Sequence, residues 1–458
     1  MMPGTIARYV QTRYAKPAYA VESFDVRGWP GLAMVVDALQ RTGHEVDYCS
    51  AATAHRHRVV LVSVTSACDW WSFIAERERW QPCPDTVVVV GGPGVLNVRP
   101  FLRWADVFVF GRGEHLISPL ADALLAGERF DHESVCYADA FGPESTYRIA
   151  QASEPWPHSV RLEGGKLWSE RSIGCQRKCL FCGYTWHRRN VAGMQDASSA
   201  GSAMWGNVSA ERTFFDLDLA RPDTWAKGTP RLILGLDGFS ERLRRMVNKP
   251  ITREMVRMLV SGIASTDRTY WVQLYNISGL PSETHDDWLE IKEDIAAADC
   301  AAPRPDGKQW KILLHSTQFR AMPATPSACW PMELKSHRGE IAAVLRDPEN
   351  PNLVFHQGPR TWAVETAGTE ALPSVVLDAV SLRGTEEDSE SVGRIARTRR
   401  FWGSRSDSKM ATLAGCFDLQ RLFGEFAAET LPTRYLKGYA GVERMWGRRP
   451  WAGPGALP

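Results

Sequence analysis

Three short β-branched runs, two of them leading straight into a glycine turn, constrain this chain more than any other feature. Residues 59–64 read Val-Val-Leu-Val-Ser-Val, residues 86–90 Thr-Val-Val-Val-Val and residues 107–110 Val-Phe-Val-Phe. Apolar runs of this length, without polar alternation, are the pattern of strands covered on both faces of a parallel sheet. The second run enters Gly91-Gly92-Pro93-Gly94. The third enters Gly111-Arg112-Gly113-Glu114, after which Ile117, Leu120 and Leu124 fall at helical spacing. Earlier, residues 31–42 carry Leu32, Val35, Val36 and Leu39 on one helical face and stop at Gly43, a natural C-cap. Strand, glycine turn and helix in alternation predict a doubly wound, Rossmann-type α/β domain over residues 1–130, with ligands at the carboxyl ends of its strands.

Composition excludes little. The chain has 458 residues, enough for about two to four domains. Its formal net charge of +1 gives no global reason to expect a polyanion as partner. Eighteen tryptophans suit large aromatic interiors without naming a ligand. Residues 1–10 lack the apolar core of a signal peptide, and no apolar run reaches bilayer-spanning length. The ten cysteines show no disulfide-framework spacing. No membrane association and a cytoplasmic location are the resulting expectations.

Three of those cysteines stand together in Cys175-Gln176-Arg177-Lys178-Cys179-Leu180-Phe181-Cys182. Thiols at spacings of four and three fit one tight loop and can converge on a single soft-metal centre, an iron–sulfur cluster or zinc. A structural zinc site or a simple electron-transfer cluster takes four ligands, and no fourth cysteine or histidine sits at a matching spacing. Three cysteines on a four-iron cluster would leave one iron open to a substrate. An incomplete zinc site is the alternative at this point.

The loop resembles the C-x3-C-x-aromatic-C signature of the radical S-adenosylmethionine (radical SAM) superfamily, with Phe181 in the aromatic slot. The resemblance implies a 4Fe-4S cluster held by Cys175, Cys179 and Cys182. Its open iron would chelate SAM, and reductive cleavage would give a 5′-deoxyadenosyl radical. Residues 166–325 are then expected to form a partial (β/α)6 barrel whose first strand, residues 167–173, delivers the cysteine loop at its carboxyl end. A further strand is expected at residues 212–219, with Asp216 and Asp218 on one face. The stretch from Arg231 through Asp237, Ser240 and Arg242 to Asn248-Lys249-Pro250 resembles the family's fourth strand. That likeness places Asp237, in the usual glutamate position, on the ribose hydroxyls, and Ser240 and Arg242 on the methionine carboxylate. Gly279-Leu280-Pro281-Ser282-Glu283-Thr284 resembles the family's Gly-Leu-Pro-Gly-Glu-Thr turn. Ser282 replaces its second glycine, and Gly279, Pro281 and Glu283 would lie along the adenine.

Residues 1–130 resemble the cobalamin-binding domain that precedes the core in B12-dependent members. On that likeness Ser63, Thr65, Gly91, Gly92, Gly113 and Glu114 would approach the corrin. The Asp-x-His-x-x-Gly motif of that family is absent. Residues 131–165 read as a connector, with a short strand pair around 146–149, and residues 326–458 as an α-rich, substrate-selecting extension. The implied activity is a cobalamin-dependent radical SAM methyltransferase acting on an unactivated carbon. Its substrate would be a small molecule, a peptide or a nucleobase, and flavodoxin or ferredoxin would donate electrons. Two alternatives stand beside it. One is a cobalamin-free radical SAM enzyme such as a methylthiotransferase, for which Cys49, Cys68, Cys83 and Cys136 offer thiols. The other is a non-catalytic iron–sulfur or zinc module. His187-Arg188-Arg189 and the arginines of residues 397–405 are candidate anion-binding groups, and Cys329 and Cys416 candidate lone thiols.

Overall fold

The computed structural model describes residues 6–9, 30–65, 67–80, 83–142, 145, 147–162, 167–170, 173, 178–187, 231–265, 270–301, 310–333, 338–345, 361–363, 372–398, 412–413 and 415–423. The first half holds β1 (Ile6–Tyr9), α1 (Pro30–Arg41), β2 (Val46–Cys49), β3 (Val59–Ser63), α2 (Ala67–Arg77), β4 (Val87–Gly91), β5 (Val107–Val109), α3 (Ile117–Ala126) and β6 (Val135–Tyr137). They build a six-stranded sheet in the order β2-β1-β3-β4-β5-β6. All its pairings are parallel except β5 with β6. The three apolar runs are its centre, covered on both faces, and Val59, Val60, Val88 and Val90 are fully buried. Burying such side chains contributes roughly 1.5–3 kcal/mol each. Gly43 follows α1 at φ +91, and Gly127 ends α3 at φ +81, donating to the Leu124 carbonyl. Both left-handed positions suit a residue without Cβ.

The sheet runs past residue 130. β6 is its antiparallel edge, and Ala150 bridges Gly111 in parallel. Strand order reverses between β1 and β3, so the topological switch point lies at the carboxyl ends of those two strands.

Next come β7 (Val160–Arg161) and β8 (Leu167–Trp168), which among the described residues pair with each other alone, in an antiparallel ribbon. The expected first barrel strand is therefore replaced, at Leu167 and Trp168, by an arm of this ribbon. Its Trp168 packs with Met34 of α1 and Val160. The strand expected at 212–219 lies outside the described residues. After α4 (Gly183–Trp186) come β9 (Arg231–Gly235), α5 (Glu241–Met246), α6 (Arg253–Ser265), β10 (Tyr270–Ser278), α7 (His285–Ala301), β11 (Trp310–Gln318), α8 (Arg338–Leu345) and β12 (Thr361–Ala363). Their sheet, β12-β11-β10-β9, is wholly parallel, with helices in each crossover, as expected of part of an α/β barrel. The fold class is α/β in both halves.

The last helices, α9 (Leu372–Arg383), α10 (Ser389–Thr398) and α11 (Leu419–Phe423), return to the first domain. Trp70 and Trp71 of α2 are buried, Trp70 stacked on Phe101 at 4.4 Å. The Trp71 indole donates to the Leu377 carbonyl at 3.1 Å and to the Ser381 hydroxyl at 3.0 Å. Asn97 donates to the Gly384 carbonyl at 2.9 Å. Part of the tryptophan count is thus spent on a core shared by the two ends of the chain.

Candidate functional site

Cys175 lies outside the described residues; Cys179 and Cys182 lie within them. Cys179 is buried and Cys182 half-buried, and the Cys182 N–H donates to the Cys179 carbonyl at 3.2 Å. Cys182 precedes the single-turn helix α4, from which the Trp186 indole reaches back to the Cys179 carbonyl at 2.8 Å. Two distant turns pin the loop. The Leu180 N–H donates to the Val247 carbonyl at 2.9 Å, and the Asn248 amide donates to the Lys178 carbonyl at 2.8 Å. The Leu180 carbonyl accepts from the Ser327 N–H at 3.2 Å. These bonds satisfy backbone groups that a tight loop cannot satisfy itself. They place the thiols at the carboxyl end of the second sheet. Phe181 packs partly buried against the surrounding apolar cluster.

Asp237 follows β9 at the same edge, at φ +58, with its N–H on the Tyr275 carbonyl at 3.0 Å. Its carboxylate meets the Lys249 ammonium at 2.5 Å, and Lys249 is 5% exposed. Asn248, next in chain, is also left-handed at φ +56. Asp and Asn tolerate that conformation better than other residues with a side chain.

Ser240 and Arg242 are both engaged by the protein's own groups. Ser240 is the N-cap of α5, accepting from the Leu243 N–H at 3.2 Å, and its hydroxyl donates to Asp287 at 2.5 Å. Arg242 grips Asp287 with Nε at 3.1 Å and Nη2 at 2.5 Å, and also holds the Ser282 carbonyl at 2.7 Å. The sequence expectation gave these two residues the carboxylate of bound methionine. The carboxylate they hold here is the protein's own. Burial acts to raise the Asp287 carboxyl, but Arg242, Ser240 and the Thr284 N–H together hold it below its ordinary range.

The turn after β10 is held by its own residues and by Arg242. Gly279 stands at φ +71 and Ser282, in the family's second glycine place, at φ +63. Glu283 accepts from the Leu280 N–H at 3.0 Å and from the Trp288 indole at 2.5 Å, so its two oxygens close the turn. Pro281 is buried.

At the first sheet, Ser63 ends β3 and Thr65 follows it, at the switch point. The Thr65 N–H and hydroxyl both donate to Asp69, at 2.8 and 2.6 Å. Gly91 ends β4, and Gly92 (φ +113) has no room for a Cβ, which would stand 2.5 Å from the Val64 carbonyl oxygen. Beside Gly113, the buried Glu114 pairs with Arg112, which grips Glu170 at 2.7 and 2.5 Å. Gly92 is thus required by the protein's own backbone, and the Glu114 charge is answered internally. Gln151, one residue past the Gly111–Ala150 bridge, donates to the His187 carbonyl at 3.0 Å, and the His187 ring bonds the Pro323 carbonyl at 2.7 Å. The carboxyl edges of the two sheets therefore meet at the cysteine loop, and His187 serves as the joint between them.

The remaining candidates are dispersed. Cys49 and Cys136 sit on opposite edge strands, five strand spacings apart, or about 24 Å. Burial pushes their thiols up to about 12 and about 11. They cannot share a cluster. Cys83 is half-buried, and the Cys68 and Cys329 side chains lie outside the described residues. Cys416 contacts Arg394 at 3.5 Å. Arg397 bonds the Gly393 carbonyl of its own helix at 3.2 Å, and residues 399–405 lie outside the described residues. Lys249, Asp287 and Trp186 received no role from the sequence. Their importance comes from contacts made in the fold, and the one local signal was Asn248, a residue type suited to a left-handed turn.

No family model matches this chain, and no curated protein matches it. Among solved structures it is similar to a radical S-adenosylmethionine methyltransferase, TsrM, from Kitasatospora setae with cobalamin and a 4Fe-4S cluster bound. Identity is 14% and the TM-score 0.45, over 87% of this chain and 100% of that one. It is also similar to a cobalamin-dependent S-adenosylmethionine radical enzyme, OxsB, with aqua-cobalamin and S-adenosylmethionine bound. There identity is 11% and the TM-score 0.23, over 68% of this chain and 44% of that one.

Proposed function

We propose that this chain is a radical SAM enzyme, cobalamin-dependent, that transfers a methyl group to an unactivated carbon. One observation carries the reading. The Cys179–Cys182 loop is pinned at the carboxyl edge of a parallel sheet, between the Val247–Asn248 turn and Ser327, with Asp237 on the same edge. Cys175, Cys179 and Cys182 would hold the 4Fe-4S cluster, and soft thiolates suit that group. Among the described residues no three potential ligands converge, since Cys175 lies outside them. When bound, the cluster supplies one electron for cleavage of SAM. The chain's own contribution is to bury Cys179, fix the loop backbone through Trp186 and Asn248, and offer the Asp237 carboxylate to hydroxyl groups. Ser240 and Arg242 hold Asp287, and Arg242 also fixes the turn after β10 through the Ser282 carbonyl.

For cobalamin, the supporting feature is placement. The switch point at Ser63 and Thr65 and the glycine turns of the first sheet lie along an edge that meets the cysteine loop through Gln151 and His187. A ligand at that edge would sit beside the cluster. The substrate is a small molecule, peptide or nucleobase, and the electron donor a flavodoxin or ferredoxin, with the enzyme at work in the reducing cytoplasm. Among the described residues no helix is long and apolar enough to cross a membrane.

The test is anaerobic reconstitution with iron, sulfide and hydroxocobalamin, followed by desalting, an optical spectrum and a SAM-cleavage assay. A retained corrin band with cluster absorption and reductant-dependent cleavage is expected. A cluster and cleavage without corrin would move the reading to a cobalamin-free radical SAM enzyme. A Cys179→Ala variant that kept cluster and cleavage would overturn it altogether.

A further inference from the structure

We infer that the three-residue turn Val247-Asn248-Lys249 is the device that sets the nucleoside-binding carboxylate in register with the cysteine loop, and that Lys249 is a positioning residue acting through Asp237. This rests on the radical SAM reading above and deepens it.

The turn makes contacts in two directions from consecutive residues. Toward the cysteine loop, the Val247 carbonyl accepts from Leu180 at 2.9 Å and the Asn248 amide donates to the Lys178 carbonyl at 2.8 Å. Those two bonds flank Cys179. Toward the sheet edge, Lys249 meets Asp237 at 2.5 Å from a buried position. The turn is braced by its own backbone. Val247 and Lys249 N–H groups bond the Leu243 and Arg244 carbonyls, at 3.1 and 2.7 Å. Asn248 is held left-handed at φ +56, and the Ile251 N–H returns to the Lys249 carbonyl at 2.8 Å.

A carboxylate at the end of a strand has side-chain rotamers to choose from, and Asp reaches one methylene less far than the glutamate of the resemblance. A buried ammonium on one oxygen fixes the rotamer, and a carboxylate held in one rotamer presents a defined acceptor to hydroxyl donors. Asp237 is itself left-handed at φ +58, a conformation that persists only where surrounding contacts determine it. Lys249 supplies one such contact.

The experiment is equilibrium dialysis of S-adenosylmethionine against the anaerobically reconstituted full chain, with iron counted per chain, for wild type, Lys249→Met, Asp237→Asn and the double variant. Lys249→Met is expected to retain its iron while binding SAM roughly ten- to hundredfold more weakly, the range spanned by losing one charge-assisted bond to a buried carboxylate. Because Lys249 acts through Asp237, the double variant should bind no more weakly than Asp237→Asn alone. Wild-type affinity in Lys249→Met, or additive losses in the double variant, would overturn the proposal while leaving the radical SAM reading intact. If Lys249→Met does not fold, Lys249→Gln, which keeps a donor of shorter reach, is read in the same way. Asn248→Gly keeps the backbone conformation and removes only the amide. Its iron should pass to a chelator faster than that of the wild type, and an unchanged rate overturns the loop-holding half of the inference. Wild-type chain that takes up neither cluster nor SAM ends the functional reading itself.

Discussion

The two sheets present their carboxyl edges to each other but bend their chains by different means. In the first domain every left-handed bend among the described residues is a glycine: Gly43, Gly92, Gly111 and Gly127. In the second, four such bends carry side chains, at Asp237, Asn248, Ser282 and Ala324, and Gly279 is the exception. The glycines of the first edge solve crowding. A Cβ on Gly92 would stand 2.5 Å from the Val64 carbonyl oxygen, and one on Gly111 the same distance from the Ala150 carbonyl oxygen. At the second edge three of the bends deliver polar groups, Asp237 to Lys249, Asn248 to the Lys178 carbonyl and Ser282 to Arg242. At those positions the strained residue makes a contact that glycine could not make.

The comparison breaks first at the glycines. Gly92→Ala and Gly111→Ala should each destabilise the chain by about 3 kcal/mol or more in denaturant titrations, since both backbone conformation and space oppose a Cβ. A loss under about 1 kcal/mol would mean that the first edge is not crowded after all. The next effect is at Asp287, whose partners Ser240, Arg242 and Thr284 come from two segments of the chain. Asp287→Asn should cost about 2–3 kcal/mol at neutral pH. The folded carboxyl lies below its ordinary value of 3.8, so its contribution is complete above that value and drains as pH falls below it toward the folded value. The variant should lose that part of the acid limb, and an unchanged limb would remove Asp287 from the account. Smaller still is Ala324→Gly, expected to stabilise by about 0.5–1 kcal/mol because a left-handed alanine is strained and its methyl makes no polar contact. A destabilised variant would show that the methyl is needed there. Last, Cys49 and Cys136 should resist alkylation at pH 8 in the native chain, as thiols at about 12 and about 11 hold almost no thiolate there. Rapid labelling of either, read by mass spectrometry, would show that its thiol is not buried in the native chain.

Sequence reading reached the middle of the first sheet because β3, β4 and β5 are buried on both faces and say so in valine. It missed β1 and β2, whose Ile-Ala-Arg-Tyr and Val-Asp-Tyr-Cys carry charge. Arg8 is nonetheless buried, its guanidinium lying 4.4 Å from the ring centre of Tyr48 on the neighbouring strand. A pairing of that kind exists only once the strands have met. The cysteine loop was legible because ligand spacing is local. Asp287 was not, because its partners Arg242 and Ser240 lie 45 and 47 residues away in sequence. Ser240 shows the same limit from the other side: a serine before a helix reads equally as a ligand contact or a cap, and only the fold shows that it caps α5.

The bond from Trp71 to Leu377 spans 306 residues and has a consequence for the chain's birth. On the ribosome the first sheet can pair its strands early, but the apolar face of α2 waits for α9 and α10. At about 5–20 residues per second that wait is on the order of 15–60 s. Throughout it a tryptophan-bearing surface stays open to solvent until the carboxyl-terminal helices arrive to seal it.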